Sequence, residues 1–211
     1  MIIIGAKGFA KEILQVIDDN GELEESLCFF DNISNDLPKL LYDRFRIICS
    51  YCELQNYFSS TSTKFLLGIG GPLIRYELSR EVKNLGGVLT SVVSKTASIG
   101  RFGTMLSEGL CIMQHVIIEN DVHIGEGCLI HNSSIISHDV RLGNYCEISP
   151  GVKLLGRDFI GDFCHIGSNA VVLPNIKVGN HVRVGAGAVV TKDVPDHTTV
   201  VGIPAKAIGT D

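Results

Sequence analysis

The sequence predicts two parts: a small parallel α/β domain over residues 1–88 and a three-sided parallel β-helix over residues 89–211. Three observations lead to this prediction. Apolar runs alternate with helical patterns near the amino terminus, and glycines follow two of those runs. Through the second half, an aliphatic residue recurs at every sixth position.

The amino-terminal part is expected to alternate strands and helices in βαβ order, which indicates a small Rossmann-like parallel sheet. Apolar positions with a period of two or 3.6 residues distinguish its strands from its helices. The predicted segments are, in order, a strand at 2–4, a glycine turn at 5–10, a helix at 11–19, strands at 27–30 and 64–68, and a helix at 73–85 that ends at two glycines.

Sheets of this kind bind ligands at the carboxyl ends of their strands, where backbone N–H groups at a helix start can meet a phosphate. The turn GAKGFA departs from the dinucleotide motif GxGxxG, which argues against NAD. Asp31 follows the second apolar run and is placed to accept hydrogen bonds from a ribose or a base. The alternative is that these glycines only turn the chain.

The second half has a period of six residues, which neither a helix nor a simple strand alternation produces. One short strand and one corner per hexad, with three hexads per coil, give a triangular prism of 18 residues per turn. The aliphatic column runs from Leu106 to Val190 without a gap. A second inward column, four residues later, is small or apolar with the exception of Asp158.

His138 occupies a corner of this repeat and is followed directly by Asp139. Its neighbours one coil away are Asn120 and Gly156, and Gly156 is expected to leave open space beside the imidazole. An imidazole titrates near neutral pH and a carboxylate can hold its tautomer, so the pair suits a general base that meets a bound substrate. The alternatives are a histidine satisfied inside the core or solvated at the surface.

The composition of the chain limits the classes of partner that the protein is expected to bind. The net charge is −5 without a Lys/Arg cluster, so no nucleic-acid partner is expected. No apolar run reaches the roughly 18 residues of a membrane span and no signal-peptide pattern opens the chain, so we expect no membrane span and a cytoplasmic location.

The seven cysteines are expected to be reduced and half-buried, and the single CxxC, Cys49 to Cys52, has no second pair to complete a zinc site. The histidine spacing likewise predicts no metal.

The motifs together resemble one group of bacterial enzymes. HNSSIISHDVRLG, ISPG, IGSNAVVLP, VGAGAVVTKDVP and VVGIPAK are similar to the hexapeptide repeats of left-handed β-helix acyltransferases. GAKGFAKE, FFDN and GIGG resemble the nucleotide-sugar domain of one branch. That branch N-acetylates UDP-, dTDP- or GDP-linked 4-amino sugars, and close relatives O-acetylate sialic acid. The resemblance covers nearly the whole chain and implies a homotrimer with each active site between two β-helices.

The resemblance also implies roles for individual residues. His138 would be the general base and Asp139 its acidic neighbour. Glu147 would lie at the cofactor, where some relatives carry a second histidine that helps to place the acetyl group. The other implied contacts are Gly156, Ser168 and Ala186 along the acetyl-CoA groove, Lys7, Gly8, Asp31, Gly68 and Gly70 around the nucleotide, and Asn132 near the sugar.

The function that the resemblance implies is acetyl transfer from acetyl-CoA, as cosubstrate, to the amino group of a nucleotide-linked 4-amino-4,6-dideoxy sugar. The favoured acceptor is dTDP-4-amino-4,6-dideoxyglucose, a precursor of surface polysaccharide such as O-antigen. The amine would attack the thioester directly, with histidine as the base. The alternatives are an O-acetyltransferase acting on sialic acid and a non-catalytic β-helix protein that binds a sugar nucleotide.

Overall fold

The computed structural model describes residues 1–210 and contains an α/β sheet followed by a parallel β-helix, which confirms the predicted fold class. The elements of the front sheet and its helices are β1 (Ile2–Ile4), α1 (Gly8–Asn20), β2 (Cys28–Phe30), β3 (Leu40–Leu41), β4 (Phe45–Ile48), α2 (Tyr51–Ser60), β5 (Lys64–Leu67), α3 (Pro72–Asn84) and β6 (Val88–Leu89). The strand order is β3-β4-β2-β1-β5-β6, and every pair except β3–β4 is parallel.

Four of these elements, β3, β4, α2 and β6, were not predicted from the sequence. β4 adds to the sheet beside β2, and α2 follows it after Ser50. The Ser50 hydroxyl accepts the backbone N–H of Glu53 at 3.3 Å, and the Glu53 carboxylate accepts the same hydroxyl at 3.2 Å. The spacing Ser-x-x-Glu is a recognised helix-start signal, so α2 was readable from the sequence.

The β-helix has three faces built from short parallel strands, most of them stacked 18 residues apart, and the docking face ends in the antiparallel pair β24–β25. The docking face contains β7 (Val92–Val93), β10 (Cys111–Ile112), β13 (Leu129–Ile130), β16 (Glu147–Ile148), β19 (His165–Ile166), β22 (Arg183–Val184), β24 (Thr198–Val201) and β25 (Lys206–Thr210). The apolar face contains β8 (Ser98–Ile99), β11 (Ile117–Ile118), β14 (Ile135–Ile136), β17 (Lys153–Leu154), β20 (Val171–Val172) and β23 (Val189–Val190). The charged face contains β9 (Met105–Leu106), β12 (His123–Ile124), β15 (Arg141–Leu142), β18 (Phe159–Ile160) and β21 (Lys177–Val178).

The two residues of a typical strand point in opposite directions. The second residue lies in the core and the first points away from it, as the predicted aliphatic column requires. The outward residues of the apolar face are Ser98, Ile117, Ile135, Lys153, Val171 and Val189, whereas those of the charged face are Met105, His123, Arg141, Phe159 and Lys177. The apolar face is therefore suited to contact with protein and the charged face to contact with water.

The front domain packs on the docking face and shares a hydrophobic core with it. Ile13 and Leu14 of α1 belong to the same buried cluster as Val92, Cys111 and Leu129 of the β-helix. The predicted division between residues 88 and 89 falls inside β6, which pairs with β5 of the front sheet. None of the helices in residues 1–210 is both long and apolar enough to cross a membrane.

All seven cysteines are free thiols, and their burial differs from the half-buried state that we expected. Cys49 and Cys52 are exposed, whereas the remaining five are buried. Three of these, Cys128, Cys146 and Cys164, stack one coil apart in the core. Their thiols donate to glycine carbonyl oxygens at 2.9–3.0 Å, which explains the 18-residue spacing as packing.

Asp158, the exception in the second inward column, is 1% exposed. Its Oδ1 accepts the backbone N–H of Ile176 at 3.0 Å, and Oδ2 has no hydrogen-bond partner within the described chain. Burial raises the pKa of this carboxyl to about 7, against the opposing effect of backbone hydrogen bonds. The core therefore accommodates Asp158 more easily as the neutral acid.

We predict that Asp158→Asn makes stability less sensitive to pH. The folded-state pKa of about 7 exceeds the ordinary value of 3.8, so the folded wild type binds more protons than the unfolded chain between these values. Its stability should therefore fall as pH rises from about 4 to 7, by up to about 4 kcal/mol, and the asparagine variant should lack this loss. Urea unfolding at pH 4.5 and pH 8, at one protein concentration, measures the difference.

The matched control is Asp121→Asn, at an exposed corner of the same prism. It should leave the pH dependence of unfolding unchanged. Equal pH slopes for wild type and Asp158→Asn would contradict the prediction.

Candidate active site

A cavity of about 340 Å³ lies at the carboxyl ends of β1, β2 and β5. The five residues that the resemblance assigned to the nucleotide all line it: Lys7, Gly8, Asp31, Gly68 and Gly70. Helix α1 begins at Gly8, and no side chain caps its first turn. Because the first N–H groups of a helix have no partner within the helix, this end of the cavity is suited to an anionic group such as a pyrophosphate.

The carboxylate of Asp31 is already hydrogen-bonded within the chain. Its Oδ2 accepts the Ala6 N–H at 3.3 Å and the Ser34 hydroxyl at 3.0 Å, and its Oδ1 accepts the N–H groups of Ile33 and Ser34 at 3.2 and 2.9 Å. Asp31 thus shapes the loop 31–34, which forms one wall of the cavity. A contact from Asp31 to ribose or base stays a prediction.

Gly68 and Lys7 have structural roles that sequence reasoning did not anticipate. A Cβ on Gly68 would lie 2.6 Å from Cγ2 of Ile3 and 2.8 Å from Cβ of Ala10, so close packing of β1 and α1 requires glycine here. Lys7 forms an exposed ion pair with Asp36 at 3.0 Å, at the cavity rim. Ligand contacts at both residues remain predictions.

His138 lies outside the core at the corner between the apolar and charged faces, and its side chain is 55% exposed. Nδ1 lies 2.8 Å from Oδ2 of Asp139, which follows at a left-handed φ of 62°. With Nδ1–H donating to this carboxylate, Nε2 carries the lone pair and can accept a proton. The reading of His138 as a core histidine is therefore wrong.

The sequence predicted open space beside the imidazole, but in the structure the imidazole itself occupies that space. A Cβ on Gly156 would lie 2.6 Å from Cε1 and 2.7 Å from Nε2 of His138. The ring therefore packs against the backbone of the next coil and fills the space that the missing side chain leaves. Gly156 is needed to admit the imidazole.

The other predicted residues lie at a different corner. Asn132, Ser168 and Ala186 each follow a strand of the docking face and lie at the corner between the docking and apolar faces. His138, Asp139 and Gly156 follow strands of the apolar face, at its opposite edge. One chain therefore does not bring the two sets together. The nucleotide cavity lies on the front domain, where its lining residue Phe9 packs against His131, next to Asn132.

Glu147 points from the docking face toward the front domain and is 13% exposed. Its Oε2 accepts the N–H of Gly71 at 2.6 Å, and its Oε1 lies 3.7 Å from Nε2 of His131 and 3.9 Å from Nε2 of His165. Burial alone would raise the pKa of Glu147, but the nearby His131 imidazole, the hydrogen bond from the Gly71 N–H and the nearby His165 imidazole together lower it to about 2. The contact of Glu147 with acetyl-CoA that the resemblance implies stays a prediction.

A second cavity, of about 730 Å³, was not predicted from the sequence. It is lined by Gly71, Pro72, Leu73, Ile74, Phe163, His165, His181, Arg183 and His197. Stacked rings form one side: Phe163 and His181 are 4.9 Å apart, and His181 and His197 are 4.7 Å apart. The sequence signal that could have predicted this cavity is the spacing of these aromatic residues, about one coil apart at one corner of the prism. Within residues 1–210, no group of three or more His, Cys, Asp or Glu side chains is arranged to hold a metal ion.

Comparison with known proteins agrees with both halves of the fold. Residues 1–82 match the PglD N-terminal domain, and residues 121–156 and 159–192 match the bacterial transferase hexapeptide family of six repeats. No curated protein sequence matches the chain.

Solved structures match over nearly the whole length. A mutant perosamine N-acetyltransferase from Caulobacter crescentus, in complex with CoA and GDP-perosamine, is 26% identical, with 99% of this chain and 96% of that chain covered and a TM-score of 0.90. The acetyltransferase domain of PglB from Neisseria gonorrhoeae FA1090, in complex with acetyl coenzyme A, is 26% identical with 98% of each chain covered and a TM-score of 0.86. WeeI from Acinetobacter baumannii AYE is likewise 26% identical, with 98% of each chain covered and a TM-score of 0.86.

Both domains, their order and their full-length structural match thus agree: the chain combines a PglD-type amino-terminal domain with the hexapeptide repeats of bacterial transferases, in the fold of left-handed β-helix acetyltransferases.

Proposed function

We propose that this protein transfers the acetyl group of acetyl-CoA to the amino group of a nucleotide-linked 4-amino-4,6-dideoxy sugar, with dTDP-4-amino-4,6-dideoxyglucose as the favoured acceptor. The observation that carries the proposal is the pairing of an exposed His138–Asp139 dyad with a nucleotide-sized cavity in a chain of this family. Similar proteins solved with CoA and GDP-perosamine, or with acetyl coenzyme A, support both substrate classes.

In the proposed reaction, the amine nitrogen attacks the thioester carbonyl carbon while Nε2 of His138 takes a proton from that nitrogen. Asp139 holds the imidazole tautomer and stabilises the imidazolium that forms. A backbone N–H that faces the groove stabilises the oxyanion, and its collapse forms the amide and breaks the carbon–sulfur bond. The imidazolium then returns the proton to the coenzyme A thiolate.

No acyl-enzyme intermediate is part of this mechanism. Cys146, the nearest candidate nucleophile in the repeat, is fully buried, and its thiol donates to the Gly161 carbonyl at 3.0 Å. Burial raises the pKa of this thiol well above its ordinary value, so little thiolate forms near neutral pH. Direct attack by the sugar amine is the simpler route.

The active site is proposed to form between copies in a homotrimer. If three prisms turn their apolar faces toward a common axis, the His138 corner of one copy lies beside the Ser168 and Ala186 corner of the next. Four of the six outward residues on that face are aliphatic, which favours such contact. The groove between the two corners would hold acetyl-CoA, with Asn132 and the nucleotide cavity supplied by the copy that does not supply the base.

The first prediction concerns the substrate. Purified enzyme should release free thiol from acetyl-CoA with dTDP-4-amino-4,6-dideoxyglucose or with its UDP- or GDP-linked counterparts, measured with a thiol reagent. Free sialic acid should give no release, because the cavity receives the nucleotide. Release only with sialic acid would replace the proposal with O-acetylation. Thermal stabilisation by sugar nucleotides without any effect of coenzyme A would indicate a non-catalytic binding protein.

The second prediction concerns the base. His138→Asn should lower kcat by about 10²–10⁴, because general-base assistance is lost, while the trimer and its melting temperature are retained. His115→Asn, at an exposed corner of the same prism, is the matched control and should keep wild-type turnover. Steady-state kinetics with saturating acetyl-CoA measure both, and an active His138→Asn enzyme would remove His138 from the mechanism.

The third prediction concerns the shared site. His138→Asn disables one corner, and Ala186→Trp blocks the groove at the other, so each variant alone should be inactive. Trimers formed by equal co-expression of both should recover about a quarter of wild-type activity, since one in four random interfaces pairs two intact corners. Thiol release by the purified mixed trimers measures the recovery. Mixtures that stay inactive would place the whole site in one chain.

A further inference from the structure

The loop Gly68–Gly71 joins β5 to α3 and forms one wall of the nucleotide cavity through Gly68, Ile69 and Gly70. Three of its four residues are glycines, so its side chains supply few contacts of their own. Gly71 is the N-cap of α3 and has a φ of 84°, a conformation that favours glycine. A loop of this composition keeps one shape only if neighbouring groups fix it.

Two side chains fix this loop against the β-helix. Arg75 of α3 is fully buried, and its Nη1 donates to the carbonyl oxygens of Leu67 at 2.9 Å and Ile69 at 2.8 Å. Its Nη2 and Nε donate to the carbonyl oxygen of Gly127 in the β-helix, at 3.0 and 3.2 Å. Arg75 thus connects the start of the loop to the prism.

Glu147 holds the other end of the loop. Its Oε2 accepts the Gly71 N–H at 2.6 Å, and a Cβ on Gly70 would lie 3.3 Å from the same oxygen, so the loop backbone packs directly on the carboxylate. The carboxylate also lies at the amino-terminal end of the 13-residue helix α3, where a negative charge is favourable.

The two histidines beside Glu147 are themselves fixed. Nε2 of His165 lies 3.2 Å from the Ser149 hydroxyl, and the ring of His131 packs against Phe9 at a centroid distance of 5.2 Å. Phe9 also lines the nucleotide cavity. The carboxylate therefore has little freedom to turn away from Gly71.

We infer that Glu147 is a positioning residue for the nucleotide sugar: it acts through Gly71 to hold the cavity wall at a fixed place on the β-helix. This inference rests on the proposed function. It assigns the residue to the nucleotide-sugar side of the reaction, whereas the family resemblance suggested the acetyl-CoA side. Since Glu147 contacts the backbone of the loop that forms the cavity wall, its loss should weaken sugar-nucleotide binding and leave the thioester site intact.

The test separates the two substrates. Glu147→Ala leaves the Gly71 N–H without its acceptor, so KM for the nucleotide sugar should rise about tenfold, while KM for acetyl-CoA and kcat should stay within about twofold. Glu147→Gln keeps a side-chain oxygen at the same reach and should restore most of the affinity. Glu147→Asp keeps the charge but is one methylene shorter, so it should behave like the alanine variant.

Glu126→Ala is the matched control. Glu126 also connects α3 to the β-helix, through its ion pair with Lys83 near the other end of that helix, and it accepts the Tyr145 hydroxyl of the β-helix at 2.9 Å. Its loss should lower the melting temperature, as Glu147→Ala does, and leave KM for the nucleotide sugar unchanged.

The outcomes are distinct. A rise in KM for acetyl-CoA with no change for the nucleotide sugar would overturn the inference and return Glu147 to the cofactor, as would wild-type affinities in Glu147→Asp. If Glu147→Ala does not fold, the Gln and Asp variants carry the same comparison. Failure of the wild-type enzyme to acetylate any nucleotide sugar would instead reject the proposed function itself.

Discussion

The hydrogen-bonded coil of 18 residues is the constraint on which the rest of the structure depends. Each strand from β7 to β23 contributes only two residues, so no single hexad is stable alone, and its backbone groups pair with the coils above and below. The pairing keeps one residue per strand in the core and fixes the register of every coil. His138 and Gly156, which are 18 residues apart, are therefore stacked by the repeat itself. The imidazole is thus held against a rigid backbone.

The same constraint distributes function around the prism. One face carries the front domain, one is mainly aliphatic and one carries polar and charged side chains. Residues six apart in sequence lie at different corners, so His138 and Asn132 diverge although they are close in the chain. A prism can join such corners only by meeting another prism, which makes assembly a requirement for the proposed chemistry and not an accessory to it.

Much of this could be predicted from the sequence, because periodicity is a local signal. The six-residue period identified the coil, the inward columns and the outward direction of His138. The helix α2 was missed although Ser50 and Glu53 signalled its start. The contact of Glu147 with Gly71 could not be predicted, since 76 residues separate them and it depends on how the front domain docks. The space at Gly156 was recognised, but its occupant required coordinates.

The junction between the domains illustrates why such contacts are specific and not merely stabilising. Arg75 is a fully buried cation whose hydrogen bonds go to carbonyl oxygens of both domains, and Glu147 is a nearly buried anion that holds a backbone N–H. Removing charged groups from water is costly, so these contacts are tolerated only where every donor and acceptor is matched. A shifted docking would leave buried polar groups unpaired, whereas aliphatic packing alone would allow sliding. The polar contacts therefore select one position of the cavity on the β-helix, and in the proposed trimer the packing of the prisms would determine how far that cavity lies from the imidazole of the next copy.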